Sequence, residues 1–232
     1  MEDNKPKSNI FTDEGRLPQV EFAIKNVSRA GTIIGRVCVD GVVLIGINKE
    51  PTNGSIEKIY QLSDDIYCAL SGLFGDAMSI KKYAQIKAQD TLERFGVVCP
   101  LLTLCKFIGQ KKQAFTQYAG TRPFGVSFLY AGVIENQYAL ASTDPSGTIN
   151  RWTAMCYGEN EESINRALSN DVPDEEMDME KATFEILKAL AKVQESTPKQ
   201  AERMEILHFS STSKRFLQRN EIQSVLERIS AK

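Results

Sequence analysis

The run VSFLYAGV, residues 126–133, would put apolar side chains on both faces of any strand it forms. Side chains along a strand alternate between its two faces, so a strand covered on one side reads apolar, polar, apolar. This run hardly alternates and needs cover on both sides. Short turn signals surround it. Glu135-Asn136 separates it from QYALAST, Asp40-Gly41 divides TIIGRVCVDGVVLIGINK, and Ser63-Asp64-Asp65 divides EKIYQLSDDIYCALSG. Connections this short join antiparallel strands. Two antiparallel sheets stacked face to face, with helices outside both, cover such strands on each side. The expected fold is therefore α+β, a four-layer α-β-β-α sandwich forming a single domain over residues 1–232.

The helices follow from spacing and stop signals. Pro18 suits a first helical turn, and Val20, Ala23, Ile24, Val27 and Ala30 recur at helical intervals. A helix is expected over 18–30, with Gly31 as its C-cap glycine. A second opens at Asp76 as N-cap, with an apolar face through Ile80, Ile86 and Leu92, and ends at Gly96. A third runs from Pro100 to about Tyr118. Later helices are expected near 160–170, 178–194 and 220–230. WTAMCYG, RMEILHFS and KRFLQ read as further strands, and DPSG (144–147) as a type I turn. Residues 1–12, with lysines, Pro6 and few apolar groups, read as a flexible tail.

Composition excludes several functions. Net charge is −2, with no basic footprint for nucleic acid. The five cysteines are Cys38, Cys68, Cys99, Cys105 and Cys156; their odd number and the lack of a Cys-x-x-Cys pair argue for buried free thiols. The first ten residues are polar and charged, so no secretory leader is expected. VVCPLLTLCKFIG is too short and too interrupted to span a bilayer. Cytoplasm and nucleus are the expected locations. The one histidine, His208, sits in a strand pattern and reads as structural. The acidic stretch DVPDEEMDME lacks calcium-loop spacing and reads as a solvated face, as does the pair Lys111-Lys112. Neither GxGxxG nor a Walker loop occurs. No cofactor or metal is expected. One nucleophile class needs no histidine: an N-terminal threonine that uses its own α-amine as base.

The stretch from Phe11 through Gly15, Arg16, Leu17, Gln19, Val20, Glu21, Phe22 and Ala23 resembles the signature of proteasome alpha-type subunits. The resemblance continues through AGTIIG, DGVVL, SIEKIYQL, ALSGLFGDA, RPFGVS and DPSG, and covers nearly the whole chain. KQAFTQYAGTRPFGVSFLYAG looks most like the third alpha position of the eukaryotic ring, the alpha type-4 class. The resemblance implies the N-terminal-nucleophile hydrolase sandwich, in agreement with the layer argument.

In catalytic beta-type relatives a threonine opens the first strand, a carboxylate ends the second and a lysine begins the third. Aligned on Gly41, this chain has Gly31 at the nucleophile position, Ile47 at the carboxylate position and Lys58 at the lysine position. A non-catalytic subunit is implied, with no catalytic residues. The resemblance further implies a heteroheptameric alpha ring, beta-ring neighbours, and regulatory-particle ATPases whose C-terminal tails dock between alpha subunits. Lys58, with Gly15, Gly72 and Leu73, would line that pocket. Phe11, Arg16, Gln19, Val20, Glu21 and Phe22 would belong to ring packing, and residues 1–12 to the pore gate.

Two departures stand out. The family's Tyr-Asp-x-Arg element is replaced by Asn4–Lys7, and the usual proline of the following turn is missing from Thr12-Asp13-Glu14-Gly15. Two other functions compete with the ring subunit. One is an active threonine hydrolase using Thr32; the other is a free-standing binding module.

Overall fold

A computed structural model of the chain describes residues 9–49, 57–172, 176–194 and 197–230. The strands are β1 (Ile33–Val37), β2 (Val42–Ile47), β3 (Ile59–Ser63), β4 (Ile66–Gly72), β5 (Val126–Ile134), β6 (Gln137–Thr143), β7 (Ile149–Trp152), β8 (Ala154–Tyr157), β9 (Met204–Phe209) and β10 (Lys214–Phe216). The helices are α1 (Pro18–Val27), α2 (Phe74–Phe95), α3 (Leu101–Gln117), α4 (Glu161–Asp171), α5 (Met179–Val193) and α6 (Arg219–Ser230), with a 3₁₀ turn at Pro198–Arg203.

One sheet has the order β10-β9-β2-β1-β8 and the other β3-β4-β5-β6-β7, and every pairing is antiparallel. Three apolar layers hold the stack together. Ile34, Val43 and Ile45 meet Ile164, Leu168, Ile186 and Leu190 of α4 and α5. Val126, Phe128 and Tyr130 meet Ile80, Leu104 and Ile108 of α2 and α3. Between the sheets lie Ile33, Leu44, Leu129, Ala131, Leu140 and Phe209. The run that fails to alternate is thereby explained. Phe128 and Tyr130 face the helices, whereas Leu129 and Ala131 face the second sheet. This is the expected four-layer α+β sandwich.

Several local expectations fail, each for a physical reason. Helix α1 stops at Val27, and Gly31 is not its C-cap, because Ser28 ends the helix in right-handed geometry. Asp76 is not an N-cap either. Leu73 holds that position, and the Asp76 carboxylate instead binds Arg122 and the Gly125 N–H. The inner face of α2 is made of Ala77, Ile80, Ala84, Ala88 and Thr91, with Ile86 and Leu92 turned outward. Gly96 does close that helix in left-handed geometry. WTAMCYG is two strands in two sheets, β7 and β8, joined by Thr153.

The Lys111-Lys112 pair is not solvated as a unit. Lys112 is fully buried, and its amine donates to the Val126 carbonyl (2.9 Å), the Thr143 carbonyl (3.1 Å) and the Thr143 hydroxyl (3.0 Å). His208 is structural: the Thr183 hydroxyl donates to the Met179 carbonyl and so accepts from His208 Nε2 at 2.8 Å. All five cysteines are buried free thiols. Acids of DVPDEEMDME have local roles. Asp178 caps α5 by accepting from the Lys181 N–H, and Asp171 pairs with Lys192.

The turn before α1 forms without its proline. Gly15, at φ +76°, donates to the Thr12 carbonyl, and the Thr12 hydroxyl accepts from the Arg16 N–H. Glycine reaches that φ without steric cost. Asn4–Lys7 and most of the expected tail lie outside the described residues. Within the tail, the Asn9 amide reaches the carbonyls of Tyr118 and Thr121.

Candidate functional site

The start of β1, the end of β2 and the start of β3 meet at one end of the sandwich. This brings Gly31, Ile47 and Lys58 together. A Cβ placed on Gly31 would lie 2.6 Å from the Ile47 carbonyl oxygen, 2.6 Å from Lys58 Cε and 3.0 Å from Lys58 Nζ. The three aligned positions are thus neighbours in space, but there is no room for any side chain at the first. Gly46 is equally tight: its Cβ would lie 2.7 Å from Lys58 Cβ. The lysine stem runs past two glycines because nothing larger fits.

Lys58 is only 7% exposed. Its amine donates to the carbonyls of Gly31 and Leu70, each at 3.2 Å. Ser71 Oγ donates to the same Gly31 carbonyl at 2.8 Å. Burial pulls the Lys58 pKa down to about 8, a drop partly offset by the Glu205 carboxylate. Glu205, on β9, accepts from the backbone N–H groups of Lys58 and Ile59 and so ties β3 to the opposite sheet. Its own carboxyl is pushed above the ordinary value, mainly by burial.

Ile47 belongs to the apolar layer under α5 and has no polar side-chain atom to orient an ammonium. Thr32 is buried at 4% exposure, its hydroxyl donates to the Glu159 carbonyl at 3.0 Å, and its nitrogen is in peptide linkage with Gly31. A threonine nucleophile needs a free α-amine and an exposed hydroxyl. Thr32 has neither here.

Gly72 and Leu73 follow Ser71 at the end of β4. Gly72 has φ +135°, and a Cβ there would lie 2.1 Å from the Gly125 carbonyl. Leu73 donates its N–H to that carbonyl at 2.8 Å and exposes its side chain. Asp76 completes the junction. It binds Arg122 through both oxygens at 2.7 and 2.8 Å and takes the Gly125 N–H at 2.9 Å. Gly15 stands in its own turn, and no hydrogen bond links that turn to Lys58 among the described residues.

Helix α1 rests on β4 and β5 through Ala23 and Val27. Phe11 (58%) and Phe22 (57%) are exposed, as are Arg16 and Glu21, which form a 3.8 Å ion pair; Gln19 and Val20 are half-buried. Ser71, Glu205 and the Asp76–Arg122 pair were not picked out from the sequence. The fragments ALSGLFGDA and RPFGVS contain three of those four residues. That the two fragments bind each other was the missed signal.

A profile of the family described as "Proteasome subunit" matches residues 27–209. The chain belongs to the proteasome subunit family. It is 74% identical over 232 residues to "Probable proteasome subunit alpha type-3" of Encephalitozoon cuniculi (strain GB-M1), covering 100% of both chains. It is 37% identical over 206 residues to "Proteasome subunit alpha type-4" of Spinacia oleracea, covering 86% of this chain and 82% of the relative. Against "Proteasome subunit alpha type-3" of Saccharomyces cerevisiae (strain ATCC 204508 / S288c) identity is 37% over 205 residues, covering 86% and 79%. Within the family the chain is of alpha type. The converged strand ends described above are therefore a feature of an alpha-type subunit.

Proposed function

We propose that this chain is a non-catalytic structural and gating subunit of the alpha ring of a 20S proteasome core. Its neighbours would be other alpha subunits in a heteroheptameric ring and the subunits of a beta ring. The observation that carries this is Gly31. At the position where a catalytic relative needs its nucleophile, the chain has no side chain and no space for one. The lysine beside it is bonded to main-chain carbonyls, and the carboxylate position is an isoleucine in the core. Cytoplasm and nucleus, where soluble substrates of such a particle reside, are the proposed locations.

Purification of the tagged chain from its source tests this. The expected particle is about 700 kDa, the order for some 28 chains in symmetric rings. It should release an intact chain of 25.9 kDa that a threonine-directed electrophile leaves unlabelled while beta chains react. A chain trimmed to Thr32 and labelled there would overturn the proposal, and a lone intact chain would mean that the assembly had been lost.

Docking of regulatory-particle C-terminal tails in a pocket lined by Lys58, Gly15, Gly72 and Leu73 is proposed from the family resemblance. One observation supports it. An ammonium has three N–H donors, and that of Lys58 has two acceptors among the described residues, both neutral carbonyls. A chain-terminal carboxylate would supply the missing charged partner. Lys58→Ala should leave ring assembly intact and weaken binding of tail peptides to this pocket. Unchanged tail affinity there would refute the assignment.

A further inference from the structure

Edge strands of the two sheets, with α6 and the 3₁₀ turn, line one groove. Strand β3 is the outer strand of one sheet and β10 of the other. Between them is a groove of about 490 Å³, lined on its apolar side by Ile59, Tyr67, Met204, Phe216, Leu217 and Ile222. That volume lies in the range of small-ligand sites. Tyr67 stands edge-on to Phe216, with ring centroids 6.5 Å apart. Phe216 is 43% exposed, a large apolar ring left open at the mouth.

The charged groups of the groove are mostly acidic. Glu57, Glu202 and Glu205 line it, and among the described residues the one cation in the lining is Arg219. Arg219 reaches Glu202 at 3.9 Å, with both side chains more than half exposed, so that pair is weak. Glu57 therefore lacks a cationic partner among the described ion pairs, and its charge adds to the field on Glu205. The edge of β3 is closed to strand addition. The Glu205 carboxylate holds the N–H groups of Lys58 and Ile59, and Gln85 holds the Gln61 carbonyl. A partner strand would find those main-chain groups taken, so what enters the groove is a side chain.

We propose that this groove receives an arginine side chain from a protein partner. A guanidinium stacks on aromatic faces and pairs with carboxylates in the same plane. Here exposed Phe216 and half-buried Tyr67 offer ring surface, and the exposed Glu57 and Glu202 offer charge. A neutral apolar side chain would leave Glu57 with no cation beside it and Glu202 with only its weak pair to Arg219.

The test uses the full chain and two peptides, acetyl-Gly-Gly-Arg-Gly-Gly-amide and its citrulline counterpart, which has the same shape without the charge. Titration is followed by the side-chain resonances of Tyr67, Phe216 and Met204. The arginine peptide should shift them saturably, with the citrulline peptide weaker by about tenfold, the equivalent of one charge pair worth about 1.4 kcal/mol. Added salt should weaken the arginine peptide alone. Glu57→Gln with Glu202→Gln, both exposed positions, should reduce the arginine affinity to the citrulline level without changing the spectrum of the free chain. Phe216→Ser should weaken both peptides. Equal affinity for the two peptides, or no saturable shift by either, overturns the proposal.

Discussion

Lys112→Met should flatten the dependence of stability on pH just above neutrality. Lys112 is buried from water on all sides, with Phe128 under its amine at 4.9 Å and three oxygens as acceptors. Burial pulls its pKa from 10.5 to about 7, against weaker raising effects from Asp144 and Cys105. Between these two values the unfolded chain keeps a proton that the folded chain has lost, so folding becomes more favourable as pH rises. Below about pH 7 both states are protonated and the gain is absent. Taking the folded value as about 7, the gain from about pH 7 to about pH 8.5 is on the order of 2 kcal/mol. Buried thiols such as Cys38 and Cys68, raised by burial from 9.0 to about 12, begin to act in the opposite direction near the top of that window, in wild type and variant alike. Lys58, lowered to about 8, adds a gain of the same sign in wild type and variant alike. Urea unfolding of both proteins in small pH steps gives two curves. Their difference should grow by the amount stated, with wild type gaining more. Parallel curves would refute the assignment of a neutralising buried amine.

Three further outcomes follow. Gly31→Ala should destabilise the chain by about 1–3 kcal/mol, because the new methyl meets the Ile47 carbonyl as well as the Lys58 stem; a neutral melting temperature would show that the strand ends relax freely. Asp76→Ala should cost about 1–3 kcal/mol by orphaning the Gly125 N–H, with Arg122, largely exposed, adding little. Burial raises the Asp76 carboxyl, but Arg122 and the Gly125 N–H outweigh it and hold the pKa below its ordinary value. The stability from Asp76 is therefore present above the ordinary carboxylate range and lost as pH falls through the folded value, a loss that acid titration of Asp76→Asn should lack.

The layered fold was legible because it depends on patterns that act over a whole strand. Phe128 and Tyr130 against Leu129 and Ala131 form two opposed apolar sets, and only a doubly covered sheet accommodates both. Capping was less legible because it depends on where a chain turns in three dimensions. Asp76 has the chemistry of an N-cap, but Arg122 and Gly125, distant in sequence, claim its carboxylate. Lys112 looks solvated in the sequence because a lysine beside another lysine usually is. Nothing local reveals that the Val126 and Thr143 carbonyls converge on it. At the site, Gly31, Ile47 and Lys58 come from the family resemblance aligned on Gly41, and the structure brings these three positions together. Ser71 shares the Gly31 carbonyl with Lys58, and Glu205 accepts the Lys58 N–H from another sheet, so only tertiary packing joins them to the site.

Thr153 carries the chain from one sheet to the other, and this crossing fixes an order of assembly. Strands β3 to β7 form one continuous block of sequence, whereas the other sheet draws on both ends of the chain, Val42 pairing with Phe209. One sheet is thus nested inside the other. A chain emerging from the ribosome can close the inner sheet and its two helices first, while the β1–β2 hairpin waits with both outer edges bare. Its partners β8 and β9 arrive only after most of the polypeptide has been made. Distant pairings form slowly because a long loop must close before they are rewarded. During that interval Val43 and Ile45 lack the cover of α4 and α5, so the amino-terminal hairpin is the part of the nascent subunit most exposed to aggregation.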